Sequence, residues 1–267
     1  MGSWKTCFNT DFFRKMAPRV WAESEDKKFK WVTLESKHLR AALSVMRTSF
    51  FVNETISVVV EMSQSEKSCQ QFEEFLSAIA EDGVSVVAID TETDTVVGVA
   101  LNKIQVQGDP DCSTFMKRYM NHPNTDAAFK ELLNFVSQME EKVDIFAHYG
   151  VTTILDHMFL ATHVDYYLRG IGRGLVAATE DMARALNRGE DVTVPISEKY
   201  TWKNKTLPRV EAVIALFTSY KSQKIGKSLK WDEILITNYN DLVYRGRTYG
   251  SRLDENNQTN AYMSIKM

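Results

Sequence analysis

The stretch DYYLRGIGRGLVAATEDMARAL, residues 165–186, most constrains what this chain can fold into. Gly170, Gly172 and Gly174, with Arg169 and Arg173, make a turn. The turn opens a helix that carries Leu175, Ala178, Met182 and Leu186 on one face, and Gly189 closes it. The apolar run VTTILDHMFLATHV, residues 151–164, leads straight into the turn and reads as a strand. The first N–H groups of a helix have no partner inside it, and the aligned peptide dipoles add positive potential there. Glycines let a ligand approach that backbone closely. The combination suits a pyrophosphate, with Arg169 and Arg173 supplying direct charge. The other reading of the same glycines is a tight turn that merely requires positive φ. Two phosphate motifs do not fit. Counting a dinucleotide fingerprint from Gly170 puts Leu175 where Gly or Ala must stand. A P-loop must end Gly-Lys-Ser/Thr, whereas this turn ends Arg173-Gly174-Leu175.

The rest of the pattern alternates strands and helices. Residues 1–27 read as a leading arm containing Pro18, and residues 28–267 as one domain. Lys28–Leu34 alternates as a strand. A helix follows with Leu39, Leu43 and Met46 at helical spacing and Ser36 as its expected N-cap. Another helix spans Ser65–Ala80, and Gly83 ends it. VSVVAID and TVVGVALNKI form a hairpin around a polar turn. TDAAFKELLNFVSQMEEKV is a further amphipathic helix. After the glycine-turn helix come a long polar loop, residues 190–208, a buried-type strand RVEAVIALFTS, a short basic helix YKSQKIGKSLKW, and two closing strands. This order predicts an α/β fold with a mixed sheet covered by helices.

Composition narrows the function classes. The formal charge of −3 over 267 residues gives no electrostatic signature of nucleic-acid binding. No apolar run reaches spanning length, and no signal-peptide core stands at the start. Cys7, Cys69 and Cys112 are scattered without metal spacing, as expected of free thiols in the cytoplasm. His157 and His163 share a strand face but lie about 20 Å apart, too far for one metal. The opening MGSWKT fits the loose pattern for lipidation of Gly2 and equally the start of an expression sequence.

The turn also fits R-x-x-G-x-G through Arg169, Gly172 and Gly174. This resembles the acetyl-CoA-binding motif of the GCN5-related N-acetyltransferase superfamily. FFVNETI at residues 50–56 is similar to the Phe-Phe-x-x-Glu region of insect-type arylalkylamine N-acetyltransferases. VDYYLRGIGRGL and TSYKSQKIGKSLKW are similar to two further segments of that family, in the same order. The departures are Asn53-Glu54-Thr55 in place of Asp-Glu-Pro, Leu229-Lys230-Trp231 in place of Leu-Gly-Phe, and the long loop at 190–208. The resemblance implies a mostly antiparallel sheet with one splayed parallel strand pair and helices on both faces. It implies a monomeric acyltransferase without a metal, using acetyl-CoA as cosubstrate. The expected acceptors are arylalkylamines such as dopamine, tyramine or serotonin. Polyamines, agmatine, amino acids or protein N-termini are the alternative acceptors, and a non-catalytic acyl-CoA-binding protein is the alternative of another class.

The chemistry assigns roles under that resemblance. A primary alkylamine has a pKa near 10.4, so neutralising it at pH 7 costs roughly 4–5 kcal/mol. Glu54, after Phe50 and Phe51, is the candidate general base. His163, at the strand end, is the rival base. The backbone of Thr162, His163 and Val164 is expected along the pantetheine arm. Arg169, Gly170, Ile171, Gly172, Arg173 and Gly174 are expected at the pyrophosphate. Ser222 is the candidate acid for the departing thiolate, with Thr218 and Ser219 before it; helix capping is the alternative role for these hydroxyls. None of the cysteines falls near this site, which disfavours a covalent acetyl-enzyme. Phe50, Phe51, Phe115, Met158, Phe159 and Phe217 are candidates for the amine pocket wall or for plain core.

Overall fold

The computed structural model describes residues 19–267. Gly2, Cys7 and Pro18 therefore lie outside the described residues, as does most of the expected arm. The strands are β1 (Val20–Glu23), β2 (Phe29–Thr33), β3 (Val86–Asp90), β4 (Thr95–Val106), β5 (Thr153–Thr162), β6 (Ala212–Phe217), β7 (Asp232–Asn238), β8 (Val243–Tyr244), β9 (Arg247–Thr248) and β10 (Thr259–Lys266). The helices are α1 (Ser36–Val45), α2 (Phe51–Asn53), α3 (Thr55–Val59), α4 (Glu66–Ala80), α5 (Pro110–Met120), α6 (Ala127–Glu140), α7 (Ile145–Tyr149), α8 (Ile171–Asn187) and α9 (Tyr220–Ser228). Eight strands form one sheet in the order β1-β2-β3-β4-β5-β6-β10-β7, and β8 and β9 form a separate small ribbon. Every pair in the large sheet is antiparallel except β5–β6. No helix among the described residues is long and apolar enough to cross a membrane.

The sheet separates two cores. On one face α1, α4 and α6 bury Phe72, Phe75, Phe129 and Leu133 against Val99, Leu101 and Phe159. On the other, α8 buries Leu175, Ala178, Met182 and Leu186 against Val86, Ala100, Leu155 and Val213. That is the apolar stripe expected from the sequence. At about 1.5–3 kcal/mol per fully buried large side chain, these faces dominate the stability of the domain.

Three features position the site. The parallel pairing of β5 with β6 covers only Ile154–Asp156 against Ala212–Ile214, so the two strands part beyond Asp156. In the β4–β5 register Leu101 faces Phe159 while Asn102 faces His157, which makes Met158 an extra, bulged residue. Between Met46 and Phe50 the chain winds as a π-helix before α2, and this wider turn delivers Glu54 to the parted strands.

Local details refine the sequence reading. The expected arm ends in a real strand, because Val20–Glu23 pairs with β2 at the sheet edge. The N-cap of α1 is Glu35 rather than Ser36. The long loop at 190–208 is tied to the far end of the sheet. There Val194 N–H donates to Gly83 O at 2.9 Å, and Thr201 Oγ1 donates at 2.7 Å to Asp82, itself paired with Lys103 at 2.8 Å.

Candidate active site

Glu54 sits between α2 and α3 as the N-cap of α3. Its Oε1 accepts from Ile56 N–H at 3.0 Å and from Thr218 Oγ1 at 2.6 Å, and its Oε2 accepts from Ser57 N–H at 2.8 Å. A carboxylate offers about four lone-pair sites, so three are filled and one on Oε2 is left. Burial raises the Glu54 pKa above the ordinary carboxylate range, while these hydrogen bonds pull it back. The carboxylate is thus fixed in place with one acceptor position to spare.

Thr218 follows the end of β6 and links the two strands' machinery. Its carbonyl accepts from Tyr239 Oη at 2.7 Å. Tyr239 is fully buried, and both burial and the nearby Glu54 charge raise its pKa, so it stays a donor. Ser219 is the N-cap of α9 and forms a capping box with Ser222: each side chain bonds the other's backbone N–H at 3.2 Å. Ser222 also donates to Ser219 O at 2.9 Å. Its proton is therefore engaged in holding this turn.

Glu54, Thr218, Ser219 and Ser222 line one cavity of about 110 Å³ that opens where β5 and β6 part. Phe50, Phe135, Phe159 and Phe217 supply its apolar wall, and Phe50 meets Phe159 edge-to-face at 5.6 Å. Met158 lines it as well. Phe51 instead stacks in the core on Phe72 at 4.7 Å, and Phe115 packs on Phe75 at 5.2 Å.

The glycine turn divides its labour. Gly170 is the N-cap of α8 with φ +79°, and a Cβ there would meet nothing, so its requirement is conformational. Gly174 lies under the Trp31 indole, where an added Cβ would approach Trp31 Cε2 to 2.2 Å. Trp31 Nε1 donates to Ile171 O at 3.2 Å, so Gly174 serves to seat α8 on the sheet. Gly172 is less crowded than Gly174, with only the flexible Ile225 Cδ1 at 3.3 Å and Thr162 Oγ1 at 3.6 Å from the Cβ position. Gly174 N–H is the first to bond within the helix, to Gly170 O at 3.0 Å, which leaves Ile171, Gly172 and Arg173 N–H free. Arg169 and Arg173 are exposed. Arg169 stacks on Tyr166 at 4.9 Å, and α9 brings Lys221 to within 5.7 Å of the Tyr167 ring in the same turn. These N–H groups and cations fit the pyrophosphate of a coenzyme A thioester.

The segment 162–164 is less free than expected. His163 N–H donates to Val97 O at 2.8 Å, and its side chain caps the short turn Val164–Tyr166 by accepting from Asp165 N–H at 3.4 Å. Val164 is exposed. His163 does not line the Glu54 cavity. Backbone left unpaired by the parting of β5 and β6 begins after Asp156, so it shares only Thr162 with the expected segment.

Sequence reasoning missed several residues of this cavity: Tyr239 behind Thr218, and Glu140, Asp156, His157 and Tyr262 along its walls. His157 Nδ1 meets Asn102 Oδ1 at 2.8 Å, and burial lowers its pKa to about 4, so it is neutral at pH 7. Among the described residues no group of three or more His, Cys, Asp or Glu is placed to hold a metal ion.

No protein-family model and no curated protein matches the chain. Solved structures match it along most of its length. Arylalkylamine N-acetyltransferase 2 from Aedes aegypti has a TM-score of 0.70 at 20% identity, over 89% of this chain and 98% of that one. Mosquito arylalkylamine N-acetyltransferase like 5b has a TM-score of 0.70 at 18% identity, over 90% and 100%. Drosophila melanogaster polyamine N-acetyltransferase, which forms N-acetylagmatine, has 0.67 at 14%, over 90% and 100%. At these identities the likeness shows a shared fold.

Proposed function

We propose that this chain transfers the acetyl group of acetyl-CoA to a small primary amine, directly and in a ternary complex. The observation that carries this reading is the Glu54–Thr218 pair, held at 2.6 Å on the wall of a cavity that opens where β5 and β6 part. The acetyl-transferase fold of the neighbours supports it. Ile171, Gly172 and Arg173 N–H, with Arg169 and Arg173 side chains, hold the pyrophosphate. Glu54 takes a proton from the amine through a water at its remaining lone pair. The amine nitrogen then attacks the acetyl carbonyl carbon; the C–N bond forms and the C–S bond breaks. Unpaired backbone N–H groups of β5 beyond Asp156 stabilise the developing oxyanion. The thiolate takes its proton from Ser222, which exchanges its bond to Ser219 O for one to sulfur and is reprotonated by the second proton that the nitrogen sheds in becoming an amide. Tyr239 acts at one remove, by fixing Thr218.

His163 is not the base in this reading, because it caps its own turn and lies off the cavity. The aromatic walls accept an aryl group or a methylene chain alike, which keeps arylalkylamines such as dopamine, tyramine and serotonin within the proposal. Incubation with acetyl-CoA and a panel of aryl and alkyl amines, read by product mass and thiol release, tests it. N-acetylated product is expected. Tight acetyl-CoA binding with no product from any amine would leave a non-catalytic acyl-CoA-binding protein.

A further inference from the structure

A second cavity of about 380 Å³ meets the first at a shared wall made by Glu140, Asp156, Met158 and Tyr262. Two of these four are acids. Asp156 is 6% exposed, and no cation among the described residues forms an ion pair with it. The nearest, Lys103, is held by Asp82 at 2.8 Å and lies over Phe115 at 4.3 Å. Glu140 is the last residue of α6, where the helix carbonyls already concentrate negative potential. Its carboxyl makes no ion pair or hydrogen bond among the described residues. Tyr262 is 3% exposed, lines both cavities, and its hydroxyl has no hydrogen-bond partner. Asp156 keeps one hydrogen bond, with Gln105, while the half-buried Glu140 carboxyl and the Tyr262 hydroxyl have none, and polar groups left this short of partners are costly. A bound cation with N–H donors satisfies all three groups at once.

Position gives the rest. Asp156 is in register with Ile214, four residues before Thr218, so the two ends lie roughly 13 Å apart at strand rise. The wall between them is apolar, as a methylene chain requires. Beyond the acids the second cavity is lined by Glu141, Asp144 and Lys117, again with acids in excess. His157, next to Asp156, is turned to Asn102 and Thr179 and is neutral.

We propose that Glu140, Asp156 and Tyr262 form a subsite for a second cationic group, so that the acceptor is a primary amine with a positive charge at its far end. This rests on the acetyl-transfer reading of the Glu54 cavity. Burial holds both carboxyls above the ordinary carboxylate range; the Asp156 charge adds to this at Glu140, whereas Gln105 and Lys103 pull Asp156 partly back.

The test uses the full chain, saturating acetyl-CoA, and two acceptors of equal length, 1,5-diaminopentane and pentylamine. The wild-type kcat/KM is expected to favour the diamine at least about tenfold. In Asp156→Asn and in Glu140→Gln that ratio is expected to fall by about tenfold, through the KM of the diamine, with folding checked by thermal melting. Equal kcat/KM for the two acceptors in the wild type overturns the inference. So do variants that lower both acceptors together, as a merely structural role would. If neither acceptor is acetylated, the acetyl-transfer reading fails, and calorimetry of both amines still reads the subsite. Binding that prefers the diamine and depends on Asp156 supports the subsite, and equal binding overturns it.

Discussion

The glycine turn and the acceptor cavity are built by opposite means. The turn is a stretch of contiguous backbone: three free N–H groups, two exposed arginines, and Gly170 and Gly172 without the core contact that Gly174 makes. The cavity is made of side chains from the π-turn, α3, α6, β5, β6, α9 and β10, and its charged groups are acids. One end selects an anion and the other a cation. The turn satisfies its own geometry without a ligand. The cavity instead holds carboxyls with no cation paired to them among the described residues, and burial raises the pKa of Glu140 and Asp156 there.

The largest expected effect breaks the cavity end alone. Glu54→Ala should lower kcat/KM by roughly 10²–10⁴ at pH 7, with acetyl-CoA affinity unchanged. Raising the pH should recover part of the loss, because more amine is then neutral. His163→Ala, assayed beside it, should stay close to wild type; the reverse pattern moves the base to His163.

At the turn end the two inner glycines should separate. Gly174→Val drives a side chain into the buried Trp31 ring and should cost about 3 kcal/mol or more of stability, read by denaturant unfolding. Gly172→Val should keep its melting temperature and lose acetyl-CoA affinity about tenfold, near 1.4 kcal/mol, by calorimetry. A Gly172 variant that melts early while binding normally would erase the distinction between them.

The smallest effect concerns the stability held back at the acidic wall. Asp156 in the fold titrates at about 7, above an unfolded value near 4. A raised carboxyl pKa destabilises the ionised protein, so the penalty is full above pH 7 and fades as pH falls toward 4. Asp156→Asn should therefore melt a few degrees higher than wild type at pH 8, about 1 kcal/mol, with the gain gone by pH 4–5. Sharing of a proton with Glu140 keeps the gain below that of an isolated buried charge. A variant less stable at pH 8 would show that Asp156 supports the fold.

What was legible in the sequence follows the same division. The turn, its helix stripe and the strand before it are contiguous, so motif and periodicity expose them. Gly174 was grouped with the ligand glycines because its partner is remote: 140 residues separate Trp31 from Ile171, the carbonyl it bonds. Glu54 was reachable only through family likeness, since its Thr218 partner lies 164 residues away. Glu140, Asp156 and Tyr262 read locally as a helix end, an apolar strand and a closing strand, and only sheet order brings them together. Ser219 and Ser222 carried a local signal, and the capping alternative describes their observed bonds. Strand β1 leaves little local signal because VWAE is four residues within a mixed segment, whereas α5 carries one in Asp109 and Pro110 at its start.

A crystal structure with coenzyme A and an amine acceptor bound tests the account most directly. It should place the pyrophosphate within hydrogen-bond distance of Ile171, Gly172 and Arg173 N–H, the thiol between β5 and β6, and the amine nitrogen beside Glu54, directly or through one water. A pyrophosphate away from this turn, or an amine bound outside the Glu54 cavity, would contradict it.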